Sequence, residues 1–284
     1  MFLNEYSIVR AFRLVNYRPI ITLLSDFGLR DPYVAEMKAV IISICQKARI
    51  VDVSHEIEKF NVRMGAFILA QAAPHFPKGT IHVAVVDPGV GTARKPIIVE
   101  TERAFYVGPD NGLLMLAARN DGVKCVYEIA NPKYMLRRVS RTFHGRDIFS
   151  PAAAHLANGV DPSEFGPRVE NPVMPSFLSP KIMGNEVVGE ILYIDRFGNL
   201  ITNIPESMLK ALGISDGASL QFKFRDREVR VKLCSSYDDV QKGSLLSIVG
   251  GTGFLEISIN QGNASSLLNI KIGDRVILTK PRGC

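Results

Sequence analysis

Ile20-Ile21-Thr22-Leu23-Leu24-Ser25-Asp26-Phe27-Gly28 is the stretch whose reading decides the fold. Its first five residues carry no charge and read as a buried strand, and Ser-Asp-Phe-Gly ends that strand in a polar turn. Residues 32–45 follow with Val34, Met37, Ala39, Val40, Ile41 and Ile44 on one broad helical face. The alternation continues. Ile50-Val51-Asp52-Val53 is a short strand that runs into Ser54-His55-Glu56, and residues 62–73 read as a helix stopped by Pro74. Residues 81–86 are a third strand, ending at Asp87-Pro88-Gly89-Val90-Gly91-Thr92. Apolar runs alternating with helical stretches mark a layered α/β domain. Ligands of such domains bind at the carboxyl ends of the strands, and all three strand-end turns here carry Asp, His or Gly.

Further along, residues 97–101 and 105–107 read as strands flanking a turn, followed by the turn cluster Gly108-Pro109-Asp110-Asn111-Gly112. Phe143-His144-Gly145-Arg146-Asp147 precedes a helix over 151–156. Residues 166–180 hold Pro167, Pro172, Pro175, Ser176, Ser179 and Pro180, the composition of a linker. From about Glu186 the pattern changes to short strands at 187–194, 220–224, 229–233, 245–249, 255–259 and 275–279, as in a small all-β barrel. The expected organisation is an N-terminal extension over 1–18, an α/β domain over 19–180 and a β-barrel domain over 181–284.

Composition excludes several classes. The 284 residues are 46% hydrophobic and 22% charged, with 34 Lys and Arg against 28 Asp and Glu for a net charge of +6. This is the make-up of a folded globular protein rather than a disordered chain or a short peptide-binding module. No window approaches the roughly 18 consecutive apolar residues of a membrane-spanning helix. The opening MFLNEYSIVRAFRLVNYRP is too broken by Arg, Asn and Glu for a secretory signal, so a cytoplasmic location is expected. Cys45, Cys125, Cys234 and Cys284 lie far apart with no CxxC pair, arguing for reduced thiols over a disulfide frame or zinc knuckle. Although the pI is near 9.1, the basic residues are dispersed and the densest group is Arg137, Arg138 and Arg141. Neither a nucleic-acid nor a membrane partner is expected.

Three polar clusters fall at strand ends or turns: Asp26 with Asp31, Asp87 with Arg94, and His144 with Arg146 and Asp147. Each also has a structural reading, since Asp before Gly caps turns and Asp-Pro-Gly is itself a common turn. There is no phosphate loop, no G-x-S-x-G elbow and no zinc helix, and Gly89-Val90-Gly91 lacks the third glycine of a dinucleotide fingerprint. His144, Asp147 and His155 match no standard metal-ligand spacing.

The strings SDFGLRDPYVAEMKAVI, VDVSHEI, VAVVDPGVGTARKPI, YVGPDNGLL, FHGRD and IDRFGNLITNI, in that order, closely resemble the S-adenosylmethionine hydroxide adenosyltransferases, relatives of fluorinase and chlorinase. The resemblance runs from about Ile20 to the C-terminus; residues before Arg18 have no counterpart in it. It implies an α/β domain, a β-barrel and a homotrimer, with the site between the first domain of one subunit and the barrel of its neighbour. The implied reaction takes S-adenosyl-L-methionine and water to adenosine and L-methionine, with no metal or further cofactor.

Residue by residue, the resemblance makes Asp87, Arg94 and His144 the catalytic trio. His144 would accept a proton or orient the water, Asp87 would hold the water or the imidazole, and Arg94 would fix the carboxylate. Asp26 would meet the two ribose hydroxyls. Phe60 takes the place of a Trp that lies against the ribose in halogenating relatives, its plain alternative being a core aromatic. Asp31 and Tyr33 would close over the substrate. In the barrel, Asp195 would meet the methionine ammonium, Phe197 stack on adenine and Asn199 bond its edge. In GGTGFLEISIN, Glu256 is a polar contact and the Ile259 and Asn260 backbone an adenine contact, although Gly251-Thr252 depart from the Ser of many members. The competing readings are a halide-using relative that makes 5′-halo-adenosine, a non-catalytic S-adenosylmethionine or adenosine sensor, and a barrel-bearing nucleic-acid binder. A carboxylate at Asp87 disfavours a halide and suits a water.

Overall fold

The computed structural model describes residues 18–175, 179–225 and 227–279. Nearly all of the expected N-terminal extension, and Cys284, lie outside the described residues. The chain divides into two compact units, Met1–Ser176 and Phe177–Cys284.

In the first unit β1 (Ile20–Ser25) is followed by α1 (Tyr33–Ile44), β2 (Arg49–Ser54), α2 (Val62–Ala72), β3 (Ile81–Val85), β4 (Pro96–Thr101), β5 (Phe105–Pro109), α3 (Met115–Asn120), β6 (Val123–Glu128) and α4 (Ser150–Ala157). The six strands form one sheet in the order β2-β1-β3-β5-β4-β6. β1 pairs in parallel with β2 and β3, and β3 with β5, whereas β4 runs antiparallel to β5 and β6. The result is the expected α/β domain, on a mixed sheet.

β1 is buried over residues 21–25 because helices cover both of its faces, and its two polar side chains, Thr22 and Ser25, are paired with His82 and His55. Ile21 and Leu23 join Met37 and Ile41 of α1 and Ala152 and Ala153 of α4 in one core. Leu24 points to the other face, toward Gly65 of α2. α2 starts where Asn61 Oδ1 accepts the Met64 N–H at 2.9 Å, an N-cap worth about 1 kcal/mol. The chain leaves β1 toward β2 on one side and leaves β3 toward β4, beyond β5, on the other, so the turns after β1 and β3 part and open a crevice between them.

The Pro-rich stretch does not begin as a free linker. The Glu128 N–H donates to Pro167 O at 2.9 Å, the Val169 N–H to Val126 O at 2.8 Å and the Val173 N–H to Asp110 Oδ1 at 2.7 Å. Proline lacks a donor but keeps its carbonyl, so such a segment can still line the edge of a sheet.

The second unit contains β7 (Lys181–Met183), β8 (Glu186–Ile194), β9 (Leu200–Pro205), α5 (Glu206–Ala211), β10 (Ser219–Phe224), β11 (Arg227–Cys234), β12 (Leu245–Val249), β13 (Phe254–Ile259), α6 (Ala264–Leu268) and β14 (Arg275–Thr279). The order β14-β10-β11-β12-β13-β9-β8 closes on itself through the β14–β8 pairing, with β7 added alongside β8. Val187, Ile191, Leu220, Phe222, Leu255 and Val276 pack into one core. This is the small barrel expected from the pattern, and closure leaves it few open edges. Among the described residues, no helix is long and apolar enough to cross a membrane.

Candidate active site

Asp87 lies two residues beyond the end of β3, and Arg94 returns to it from the far side of the same loop. Arg94 Nε donates to Asp87 Oδ1 at 3.2 Å and Nη2 donates to Oδ2. Nη2 also donates to His144 Nδ1 at 3.1 Å. The three residues therefore form a chain with Arg94 in the middle, rather than a carboxylate–imidazole pair. Both members of the ion pair are nearly buried, at 8% exposure for Arg94 and 5% for Asp87. The guanidinium lies over the Phe149 ring at 5.5 Å, and its Nη1 is buried with no protein partner. The loop between the two residues is close-drawn at Gly91, where φ is 76° and a Cβ would stand 2.4 Å from the Arg141 carbonyl oxygen.

Guanidinium has donors only, so Nδ1 of His144 must accept and the hydrogen of the neutral ring sits on Nε2. Burial lowers the His144 pKa, and the Arg94 charge lowers it further against the opposing pull of Asp87 and Asp147. The ring is thus neutral near pH 7, offering Nε2–H as a donor.

His144 heads a wide turn, Gly145–Phe149, with π-type bonding that feeds α4. Ser150 Oγ donates to Gly145 O at 2.8 Å and holds that turn. Arg146 and Asp147, grouped with His144 by sequence, serve this scaffold. Arg146 Nε donates to Asp147 Oδ1 at 2.7 Å and Nη1 to Glu36 Oε2 at 2.7 Å, while Asp147 Oδ2 accepts the Ser140 N–H at 2.8 Å. Burial works to raise the Asp147 pKa, but the Arg146 and Ser140 bonds outweigh it and leave it lowered. His155 packs against the Tyr134 ring with centroids 5.1 Å apart. Among the described residues, no group of three or more His, Cys, Asp or Glu is placed to hold a metal.

A cleft of about 330 Å³ brings together Asp26, Asp31, Tyr33, Phe60, Asp87 and His144, with Phe27, Lys59 and Phe143 also in its wall. Arg94 stands behind it. Asp26 Oδ2 accepts the Phe60 N–H at 2.8 Å. Phe60 has φ 64° and is 68% exposed, so it is a rim residue and not a core aromatic. Phe27, Tyr33 and Phe143 meet edge to face, with centroids 5.1 to 5.7 Å apart.

The barrel has a pocket of its own, about 850 Å³, walled by Asp195, Phe197, Asn199, Glu256, Ile259 and Asn260 together with Tyr237, Gly250 and Gln261. Asp195 Oδ1 accepts the Phe197 and Asn199 N–H groups, both at 2.9 Å, and Oδ2 accepts Asn199 Nδ2 at 2.8 Å. The turn-forming reading of IDRFGN therefore holds alongside any binding role, and it presents Phe197 at 75% exposure. The Asn260 N–H donates to Ser244 O at 3.1 Å and its C=O accepts the Gly243 N–H at 2.8 Å, while Ile259 O accepts the Gly262 N–H at 3.1 Å.

Glu256 is buried, and that burial together with the Asp195 charge raises its pKa to about 7. Gly250 leaves it room, since a Cβ there would stand 1.7 Å from Glu256 Oε1. Tyr237 was not among the sequence candidates. Its local signal is the cap around it, where Ser236 Oγ accepts the Asp238 N–H at 3.2 Å and Asp239 Oδ2 the Ser236 N–H at 3.2 Å.

A mixed α/β unit with a charged cleft at its strand ends, followed by a closed barrel with an acidic and aromatic pocket, defines a two-domain, small-molecule-binding class of protein. Comparison with known proteins makes that class specific. The family described as SAM hydroxide adenosyltransferase matches through its N-terminal domain over residues 21–166 and its C-terminal domain over 189–277. The chain belongs to this family. It is 39% identical over 264 residues to a Salinispora tropica protein named (R)-S-adenosyl-L-methionine hydrolase, covering 92% of this chain and 98% of that one. A fluorinase from Actinoplanes sp. is more distant, at 29% identity over 93% of this chain and 99% of its own length. Among solved structures, an uncharacterized conserved protein from Thermotoga maritima superimposes with a TM-score of 0.88 at 38% identity, covering 92% of this chain and all of that one.

Proposed function

We infer that the protein hydrolyses S-adenosyl-L-methionine to adenosine and L-methionine. The observation that carries this reading is the Asp87–Arg94–His144 chain at the end of β3, with Asp87 and His144 both facing the cleft. The hydrolases among the relatives match it at higher identity than the fluorinases.

Water attacks ribose C5′ in line with the C–S bond. A C–O bond forms as the C–S bond breaks, and the electron pair stays on sulfur, converting a sulfonium to a neutral thioether. Such a leaving group needs neither a proton nor a Lewis acid, so no metal or further cofactor is invoked. The scarce component is the nucleophile. Asp87 accepts one water hydrogen and takes the proton as the C–O bond forms, then releases it to solvent. His144 donates Nε2–H to the water oxygen and aims its remaining lone pair. Because Nδ1 is filled by Arg94, His144 orients the water and Asp87 is the proton acceptor. General-base assistance of this kind is worth about 10²–10⁴-fold, and orientation adds to it.

Asp26 takes the ribose diol, and Asp31, Tyr33 and Phe60 close the rim. Phe197 and Asn199 take adenine, while Asp195 and Glu256 take the methionine ammonium. The assembly is a homotrimer in the cytoplasm, each cleft completed by the barrel pocket of the neighbouring subunit. Exposed Tyr33 and Phe60 at the cleft, and Phe197 on the barrel, support such an interface.

The test is chromatography of the protein with S-adenosyl-L-methionine in chloride-free and chloride-rich buffer, beside Asp87→Asn and His144→Ala. Adenosine and methionine are expected in both buffers, with kcat lower by about 10²-fold or more in each variant. Chloro-adenosine in the chloride-rich arm would assign halide transfer instead. Tight binding without turnover would make the protein a sensor.

A further inference from the structure

A polar row that starts at buried Ser25 and His55 and runs out through Asp52 to Lys38 takes no part in the chemistry just described. Ser25 Oγ is 2.7 Å from His55 Nδ1, and both side chains are buried. On the other side of the ring, His55 Nε2 lies 3.1 Å from Asp52 Oδ1, off the line of a hydrogen bond but at ion-pair range. Asp52 Oδ2 is paired in turn with Lys38 Nζ at 2.6 Å. The pairs with Lys38 and His55 lower the Asp52 pKa against the effect of burial, which works to raise it.

Serine, histidine and aspartate in a row suggest a nucleophile, and the geometry rejects that. Ser25 is fully buried, and neither it nor His55 lines the cleft. What the row does hold is the turn after β1. The Phe27 N–H donates to Ser25 Oγ at 3.4 Å, and the Gly28 N–H donates to His55 O at 2.8 Å. Asp26 sits between these anchored neighbours. Its Oδ2 accepts the Phe60 N–H from the same segment after β2 that carries His55. Ser25 before Asp26 is thus tied to the His55 ring and Gly28 after it to the His55 main chain, with the carboxylate tied to a residue five further along.

We propose that His55, through Ser25, is the positioning residue that sets the Asp26 carboxylate for a vicinal diol of the ligand. This rests on the reading of Asp26 as the ribose-binding residue. His55 does not touch substrate. It makes recognition of the 2′ and 3′ hydroxyls depend on the Asp26 direction, which a loose turn would not hold.

The test measures dissociation constants of adenosine and 2′,3′-dideoxyadenosine by titration calorimetry on the full chain, with circular dichroism as the check of folding. Wild type should prefer adenosine by roughly 10- to 100-fold, the value of hydroxyl bonds to a carboxylate. In His55→Ala that preference should collapse to about three-fold or less, while affinity for the dideoxy compound holds. His55→Asn places an amide nitrogen where Nδ1 lies and should keep most of the preference. His55→Gln reaches toward Asp52 instead and should behave like alanine. Ser25→Ala, a smaller change, should reproduce the loss and carries the test if His55→Ala does not fold. Full preference retained in Ser25→Ala and a folded His55 variant, or equal weakening of both ligands, overturns the proposal. A wild type with no preference between the two compounds overturns the ribose reading of Asp26 itself.

Discussion

Glu256 and His144 carry opposite pKa shifts for one common reason, the burial of a titratable group, and burial always disfavours the charged form. In Glu256 it raises the carboxyl to about 7, helped by Asp195, so near neutral pH the side chain is close to half protonated. A cation seated between Glu256 and Asp195 reverses this by favouring both carboxylates. Ligand binding near pH 7 should therefore release up to about half a proton per site. Titration calorimetry with S-adenosyl-L-methionine on the Asp87→Asn variant, where hydrolysis and its own proton release are near background, in two buffers of different ionisation enthalpy reads that proton directly. The apparent enthalpy should depend on the buffer for Asp87→Asn and not once Glu256→Gln is added to it; no buffer dependence in Asp87→Asn would place the cation elsewhere. His82 shows what burial does without a cleft: it falls to about 4 in the core, stacked on Tyr106 at 5.0 Å. The sequence distinguishes His82 from His144 only by strand pattern, since His82 lies within an apolar run and His144 precedes a glycine in a turn.

At the scale of elements, the site depends on how β3 ends. Asn111, from the turn cluster after β5, reaches across to donate Nδ2 to Val86 O at 2.8 Å, and its Oδ1 accepts the Leu113 N–H at 3.2 Å. Val86 is fully buried and immediately precedes Asp87. Asn111→Ala leaves that carbonyl without its side-chain donor and should cost about 1–3 kcal/mol in urea unfolding. Because Asp87 loses its anchor while the ribose-side residues do not, kcat should fall more than KM rises; an unchanged kcat would show that Asp87 is held by Arg94 alone. Elements of this kind differ in how legible they are. β1 and β3 are apolar runs because both faces are covered, and the sequence declares them. β6 reads VKCVYE with its first residues exposed, and it offers neither alternation nor a run. β9 is hidden for another reason, since buried Thr202 and Asn203 sit in it as polar residues with partners far along the chain. Thr202 Oγ1 donates to Leu255 O at 2.7 Å and Asn203 Oδ1 accepts the Glu190 N–H at 2.8 Å. His55 was invisible as a site residue in the same way, because its meaning lies in Ser25, thirty residues away.

The whole molecule keeps its chemistry in two places. The first unit holds Asp87 and His144 in the wall of its cleft, and the barrel holds Asp195, Glu256 and the exposed Phe197 in the wall of its pocket. If each cleft is completed by a neighbour's barrel, two different dead chains should repair one another. Asp87→Asn lacks a working first unit but has a sound barrel, and Phe197→Ala with Asp195→Ala has the reverse. In trimers assembled at random from equal amounts of both, each site draws its first unit from one chain and its barrel from the next around the ring. A site is then sound only when the barrel-defective chain supplies the first unit and the Asp87→Asn chain supplies the barrel, which is roughly a quarter of sites. Co-expression of the two chains should restore roughly a quarter of wild-type kcat per subunit, where either variant alone is near background. Sedimentation equilibrium on the same sample should give the mass of three chains. Sites built within single chains would give no restoration at any mixing ratio, since every chain in the mixture carries one defective half.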